Sequence, residues 1–196
     1  MKTRKEVPGD GHLFAFHVPT SRIVHMHKTG GFTLIELLIV VAIIGIIAAI
    51  AIPGMIRARE AGNEASAIGS VRSIVGGQTA FAASCGGGGY ADTLAALATA
   101  PPGGVPFISP DLIGGVKSGY TTVITGIGLV VLAAATTCNT TADSRSTYLV
   151  TATPLAVGQT GNRSFGGDHR GVIYQDVSGA VLAAPLAAAG TVSVLQ

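Results

Sequence analysis

The stretch Lys28–Val40, KTGGFTLIELLIV, leads into the longest apolar run of the chain and carries a carboxylate, Glu36, at its lip. From Leu37 to Ile52 no side chain is charged or able to hydrogen-bond. A Glu carried into the hydrocarbon of a bilayer is costly unless it finds a partner. An anchor with no other duty would have a Leu in its place. From Phe32 to Ile56 the run is long enough, at about 1.5 Å per residue, to cross a hydrocarbon core of roughly 30 Å as a helix. A helix apolar on all sides belongs in lipid or inside a bundle of its own copies.

The rest of the chain fits such a segment. Its 196 residues allow one modest domain with appendages. Hydrophobic residues make up 48% and charged ones only 11%, well under half of the usual charged share, so much of the chain is not ordinary solvated surface. The formal net charge of +2 is unevenly placed. Residues 1–31 hold Lys2, Arg4, Lys5, Arg22 and Lys28 against Glu6 and Asp10, or +3, and the remainder carries −1. No basic stripe is left to hold nucleic acid. The basic excess ahead of the run marks a cytoplasmic flank, moderated by Arg57 and Arg59 just beyond it.

Three accounts compete for the run. A plain signal anchor leaves Gly30-Gly31, Phe32 and Glu36 without a reason. A secretory signal peptide would use Lys28 as its basic end and Ala49-Ile50-Ala51 as an A-x-A-like cleavage site. The third accounts for the fixed order of Gly, aromatic, Thr-Leu-Ile-Glu and long apolar run. GGFTLIELLIVVAIIGIIAAIAIP resembles the N-terminal segment of type IV prepilins and of the pseudopilins of type II secretion. The resemblance is close over Lys28 to Ala65. It implies that a membrane prepilin peptidase cuts between Gly31 and Phe32 and methylates the new amino terminus at Phe32. Glu36 then takes the fifth mature position and Pro53 the twenty-second, where many pilins bend their helix. The implied leader of residues 1–31 is long for the family. Met26 begins MHKTGG, a leader of ordinary length, so translation is expected to start there. His12, His17, His25 and His27 precede the cut and are read as discarded rather than as a metal site.

The resemblance also implies a role for Glu36. Cleavage leaves a positive amine on Phe32 at the end of an apolar helix, and a carboxylate beside a buried ammonium relieves both desolvation costs. Glu36 would recruit the amine of a neighbouring subunit and select one axial register among the many that apolar packing tolerates, as polar core residues do in coiled coils. Within one subunit it also lies in the first helical turn, where the helix dipole favours negative charge.

Beyond the run, Pro53-Gly54 is expected to interrupt the helix, since Pro removes a backbone donor and crowds the preceding turn. Helical spacing resumes with Ala61, Ala65, Ile68 and Val75, and Gly76-Gly77 marks the expected stop. The fold class is therefore α+β. A long helix over 32–77, transmembrane over about 32–52, lays its second half on a globular head of residues 78–196. The head shows a short helix opened by Asp92, a capped turn at Ser109-Pro110, and strands over Tyr120–Thr125, Thr147–Thr153, Gly171–Gln175 and Thr191–Leu195. Gly and Asn turns between them predict an antiparallel sheet.

The two cysteines, Cys85 and Cys138, have no metal-ligand spacing, and in an extracytoplasmic head they are expected to pair as a disulfide. Many pilins bracket a loop nearer the C-terminus, so Cys85 is a departure. CGGGGY at 85–90 lacks the Lys-Ser/Thr of a phosphate loop and reads as a flexible connection. In SFGGDHRG, Ser164, Asp168, His169 and Arg170 lie close in sequence, but no G-x-S-x-G elbow accompanies them and the cluster reads as a turn. Asp168 and Asp176 alone make a weak Ca²⁺ ligand set. The expectation is a non-enzymatic filament subunit without cofactor or metal. Its partners would be copies of itself, minor pilins or pseudopilins, prepilin peptidase, the inner-membrane assembly platform and lipid. The expected location is the bacterial inner membrane as a single-pass precursor, with an extracytoplasmic head that ends in a surface pilus or periplasmic pseudopilus. A type IV pilin is preferred over a pseudopilin. A secreted or membrane-anchored binding or enzyme domain is the alternative of a different class.

Overall fold

The structure, a computed structural model, describes residues 30–195. The leader apart from Gly30 and Gly31, with its four histidines, lies outside the described residues. The chain divides into two units, Met1–Ile43 and Ile44–Gln196.

A single helix, α1 (Leu34–Ser84), begins in the first unit and continues in the second, and Pro53 lies inside it. The predicted interruption at Pro53-Gly54 is corrected: helical backbone is assigned on both sides. One missing donor costs a long helix one bond of many, and a Cβ built on Gly54 would meet nothing within 4 Å. The large apolar side chains from Phe32 to Ile56 are exposed, between 85% at Phe32 and 49% at Ile56. α1 is the one helix among the described residues long and apolar enough to cross a membrane.

In the second unit α1 buries Glu60, Glu64, Ala67, Val71, Ile74, Gln78 and Phe81. These alternate in steps of four and three, the seam of a helix lying along a partner surface. The predicted stripe was displaced by about one residue. Ala61 and Ala65 are exposed, and Ile68 and Val75 are half-buried at its margin. The seam is hidden in the sequence because its first two members are glutamates. The predicted stop at Gly76-Gly77 is also corrected, since α1 runs to Ser84. Gly77 is there for close approach: a Cβ on it would come within 2.6 Å of Ile108 Cγ2 and 2.8 Å of the Phe107 carbonyl. Gln78 and Phe81 therefore belong to the helix.

The sheet is antiparallel. Its strands are β1 (Tyr90–Ala91), β2 (Val116–Lys117), β3 (Tyr120–Leu132), β4 (Ser144–Pro154), β5 (Ser164–Asp168), β6 (Ile173–Asp176) and β7 (Val192–Val194). They run in the order β2-β3-β4-β5-β6-β7, with β1 paired to β4. Alternation along the strands divides the apolar residues between two cores. Tyr120, Ile124, Tyr148, Val150, Ala152 and Phe165 join Val71, Ile74 and Phe81 of α1. Leu149 and Tyr174 join Leu182 and Leu186 of the C-terminal segment. The α+β layout of one long N-terminal helix and an antiparallel sheet is thus the fold.

Several local expectations shift. The short helix α2 (Leu94–Ala98) is capped by Thr93, whose side chain accepts from the Ala96 N–H, rather than by Asp92. Pro110–Leu112 is one 3-10 turn without a side-chain cap from Ser109. The sequence predicts a turn where β5 lies. Its residues are all buried, because Gly166 and Gly167 let Leu182 on one face and Val75 and Val71 on the other come close. A run so poor in side chains carries no strand pattern of its own. CGGGGY is not a loose connection either. The Gly86 and Gly88 N–H groups cap the end of α1 by donating to the Phe81 and Ala82 carbonyls, and Gly87 and Gly88 adopt positive φ.

Candidate processing and assembly site

Gly30, Gly31 and Phe32 form an exposed lead-in to α1 without regular secondary structure. No described atom lies within 4 Å of a Cβ built on Gly31, and its φ is ordinary. Neither packing nor backbone in this chain asks for glycine there.

Thr33 is the residue that sequence reasoning underrated. Its N–H and hydroxyl both donate to Glu36 Oε2, at 3.0 and 2.7 Å, and the Glu36 N–H donates back to Thr33 Oγ1 at 3.2 Å. This is a capping box, in which two of the orphan donors of a helix start are satisfied reciprocally. The T-x-x-E spacing of Thr33-Leu34-Ile35-Glu36 was the available signal. Both bonds fall on Oε2, so Glu36 Oε1 retains acceptor capacity for a second donor. The box uses the amide of Thr33, so it does not depend on the peptide bond between Gly31 and Phe32. Thr33 at the helix start sets the orientation of the Glu36 carboxylate, and Phe32 and Leu34 on either side of Thr33 in sequence are exposed.

Glu60 and Glu64 lie further along α1, on the buried seam. Glu64 Oε1 accepts from the N–H groups of Asn162 and Arg163 at 2.9 and 3.1 Å, and Oε2 accepts from Arg163 Nε and Nη2 at 2.9 and 2.6 Å. Asn162 Nδ2 donates to Glu60 Oε2 at 3.2 Å. Arg163 also reaches Gln175 and lies over the Phe165 ring. The turn before β5 is therefore clamped to α1. Burial pushes the Glu64 carboxyl up, but the Arg163 side-chain bond, the two backbone donors and the guanidinium charge outweigh it and hold it below the usual carboxylate range. Gln78 makes a second clamp, exchanging two bonds with the Ala91 backbone at 2.7 and 2.8 Å.

Cys85 and Cys138 are joined in a disulfide that ties the residue after α1 to the turn before β4. Nearby, buried Ser144 donates to the Gly86 carbonyl and accepts from the Leu132 N–H.

The residues of SFGGDHRG do not converge. Ser164 is wholly buried and gives its hydroxyl to the Ala180 carbonyl. Asp168 is held by the Arg170 guanidinium, and His169 meets the Thr147 hydroxyl at 2.6 Å. Asp176 is engaged by the side chain and backbone N–H of Ser178, which hold its carboxyl below the usual range. An open pocket of about 410 Å³ lies beside His169 and Arg170 over a mainly apolar floor that includes Ile127, Leu149 and Leu186. Ser164 bonds to the Ala180 carbonyl and not to His169, so the hydroxyl–imidazole–carboxylate sequence that the motif suggests is not formed.

Residues 26–52 match the family model described as the prokaryotic N-terminal methylation motif, the signature of type IV pilins and pseudopilins. The match covers Gly31, Phe32, Thr33 and Glu36 and begins at Met26. No curated protein and no solved structure matches the chain.

Proposed function

We propose that this chain is a structural subunit, not an enzyme, of a type IV pilus-like filament. Prepilin peptidase cuts between Gly31 and Phe32 and methylates Phe32. The apolar start of α1 holds the subunit in the inner membrane until the assembly platform extracts it, and the α1 segments of many copies then form the filament core. The observation that carries this reading is the arrangement at the start of α1. A Gly–Phe bond with no local need for glycine precedes an exposed apolar helix whose first-turn carboxylate keeps one oxygen for an incoming amine. In an apolar filament core, an ammonium on Phe32 would be costly without such a counter-charge. Pro53 is the residue at which α1 would yield when the filament is stretched.

The disulfide supports a pilus subunit over a type II secretion pseudopilin. So does the weakness of Asp168 and Asp176 as a Ca²⁺ ligand set, each being engaged instead by Arg170 or Ser178. Mass spectrometry of the mature N-terminus, with electron microscopy of sheared filaments, tests the proposal. Methylated Phe32 in surface filaments is the expected result. Methylated Phe32 without surface filaments would favour the pseudopilin. A mature start at Ile52 would indicate signal peptidase, and a retained leader a plain anchor; either overturns the filament reading.

A further inference from the structure

β3 is the longest strand of the sheet, yet β2 covers only its first two residues, through the pairs Val116–Thr121 and Lys117–Tyr120. The Thr122 N–H then donates to the Gly115 carbonyl. From Val123 onward no described strand pairs with the outer edge of β3. Such edges are ordinarily guarded by charge, Pro or a bulge. Here the register shifts between Ile127 and Val130 and again between Val130 and Leu132, leaving Val123–Ile127 as the regular part of the edge, but the chain has neither a charged residue nor a Pro from Ser118 to Ala142. Large apolar side chains gather on this edge instead: Leu129 is 80% exposed, Val123 and Val130 47%, and Val131 41%.

From this we infer that the Val123–Val131 edge of β3 is a contact surface for a second copy of this chain in the assembled state, an inference that rests on the filament-subunit reading. Backbone donors and acceptors in series along an open edge are matched by another strand. Charge selects the occupant further. The cation beside this edge, Arg145, already faces Asp92 and Asp143, so the patch gives an anionic lipid or nucleic acid little to pair with, whereas it meets a second copy without like-charge repulsion. Area narrows it again. The four side chains expose on the order of 400 Å², about half of what one partner gives to a stable free interface. Such a patch cannot hold a freely diffusing partner. It suffices between copies already kept together by another segment, where the effective concentration is high. A contact that joins this edge to a different surface of the next copy is heterologous and propagates rather than closing.

The test uses the full-length chain, processed in cells, with a benzophenone amino acid at Leu129. Ultraviolet light on sheared filaments should yield covalent dimers and higher multiples of this chain. In the same cells, Leu129→Lys with Val131→Lys should lower filament yield at least ~10-fold, while membrane level, Phe32 methylation and the Cys85–Cys138 disulfide stay unchanged. Normal filaments from the double variant, or cross-links from Leu129 only to lipid or another protein, overturn the edge contact and leave the filament reading standing. Absence of filaments from the unsubstituted chain overturns that reading, and the contact with it.

Discussion

Glu36 meets two demands with its two oxygens. Oε2 closes the capping box with Thr33, and Oε1 is the acceptor we assign to a neighbour's amine. Replacing a capping residue costs a helix start about 1 kcal/mol, a loss the lipid-embedded helix tolerates. Glu36→Ala should therefore leave cleavage and membrane insertion near normal while filament yield collapses, measured by shearing and immunoblot; undiminished filaments would sink the pairing role. Thr33→Val removes the hydroxyl and keeps the Thr33 amide donor, so its effect on assembly should be smaller. Gly31→Ala meets no steric objection within the chain. It should nevertheless leave uncleaved precursor in the membrane fraction, and normal processing would refute the assigned site.

The behaviour of α1 as an element depends on what it packs against. Gly76 faces open space, and Gly77 touches Ile108 and the Phe107 backbone. Gly76→Ala should stabilise the folded chain by roughly 0.5–1 kcal/mol through helix propensity. Gly77→Val should destabilise it by about 1–3 kcal/mol or more through overpacking. Thermal melts of the two variants should thus move in opposite directions, and a shared direction would contradict the assigned contacts. The clamp at Glu64 gives a pH signature. Its carboxyl is held below its ordinary value of 4.5, so its stabilisation is complete above the unfolded value and fades as pH falls through the lower folded value. Glu64→Gln should destabilise the fold by about 2–3 kcal/mol at pH 7, read as a lower Tm, given that Arg163 is partly exposed. The gap should narrow below about pH 4.5. A gap that widens on acidification would show that Glu64 is not the charged partner of Arg163.

On the scale of the whole molecule, the disulfide ties the end of α1 to the segment between β3 and β4. Loop-closure arithmetic assigns such a bridge about 3–4 kcal/mol. Reduction, or Cys85→Ser with Cys138→Ser, should lower Tm by several degrees; equal melting of oxidised and reduced protein would remove the bridge from the stability account. The legible and illegible parts of this fold divide along physical lines. GGFTLIE and the apolar run announce themselves because lipid, peptidase and helix cap each demand particular residue types at particular spacings. β4 was legible because β-branched and aromatic residues alternate along it. β5 was not, because SFGGD is buried through its glycines rather than through apolar side chains. The α1 seam was misplaced for a related reason: Glu60 and Glu64 read as solvent-facing until Asn162 and Arg163, distant in sequence, are brought beside them. The sequence by itself determined the processing segment, the long helix and the α+β class, since each rests on local chemistry or short periodicity. Only the tertiary structure decided where α1 ends, which face it buries, that the cysteines meet and that the β3 edge is left open. Those outcomes depend on groups that become neighbours only once the chain has folded.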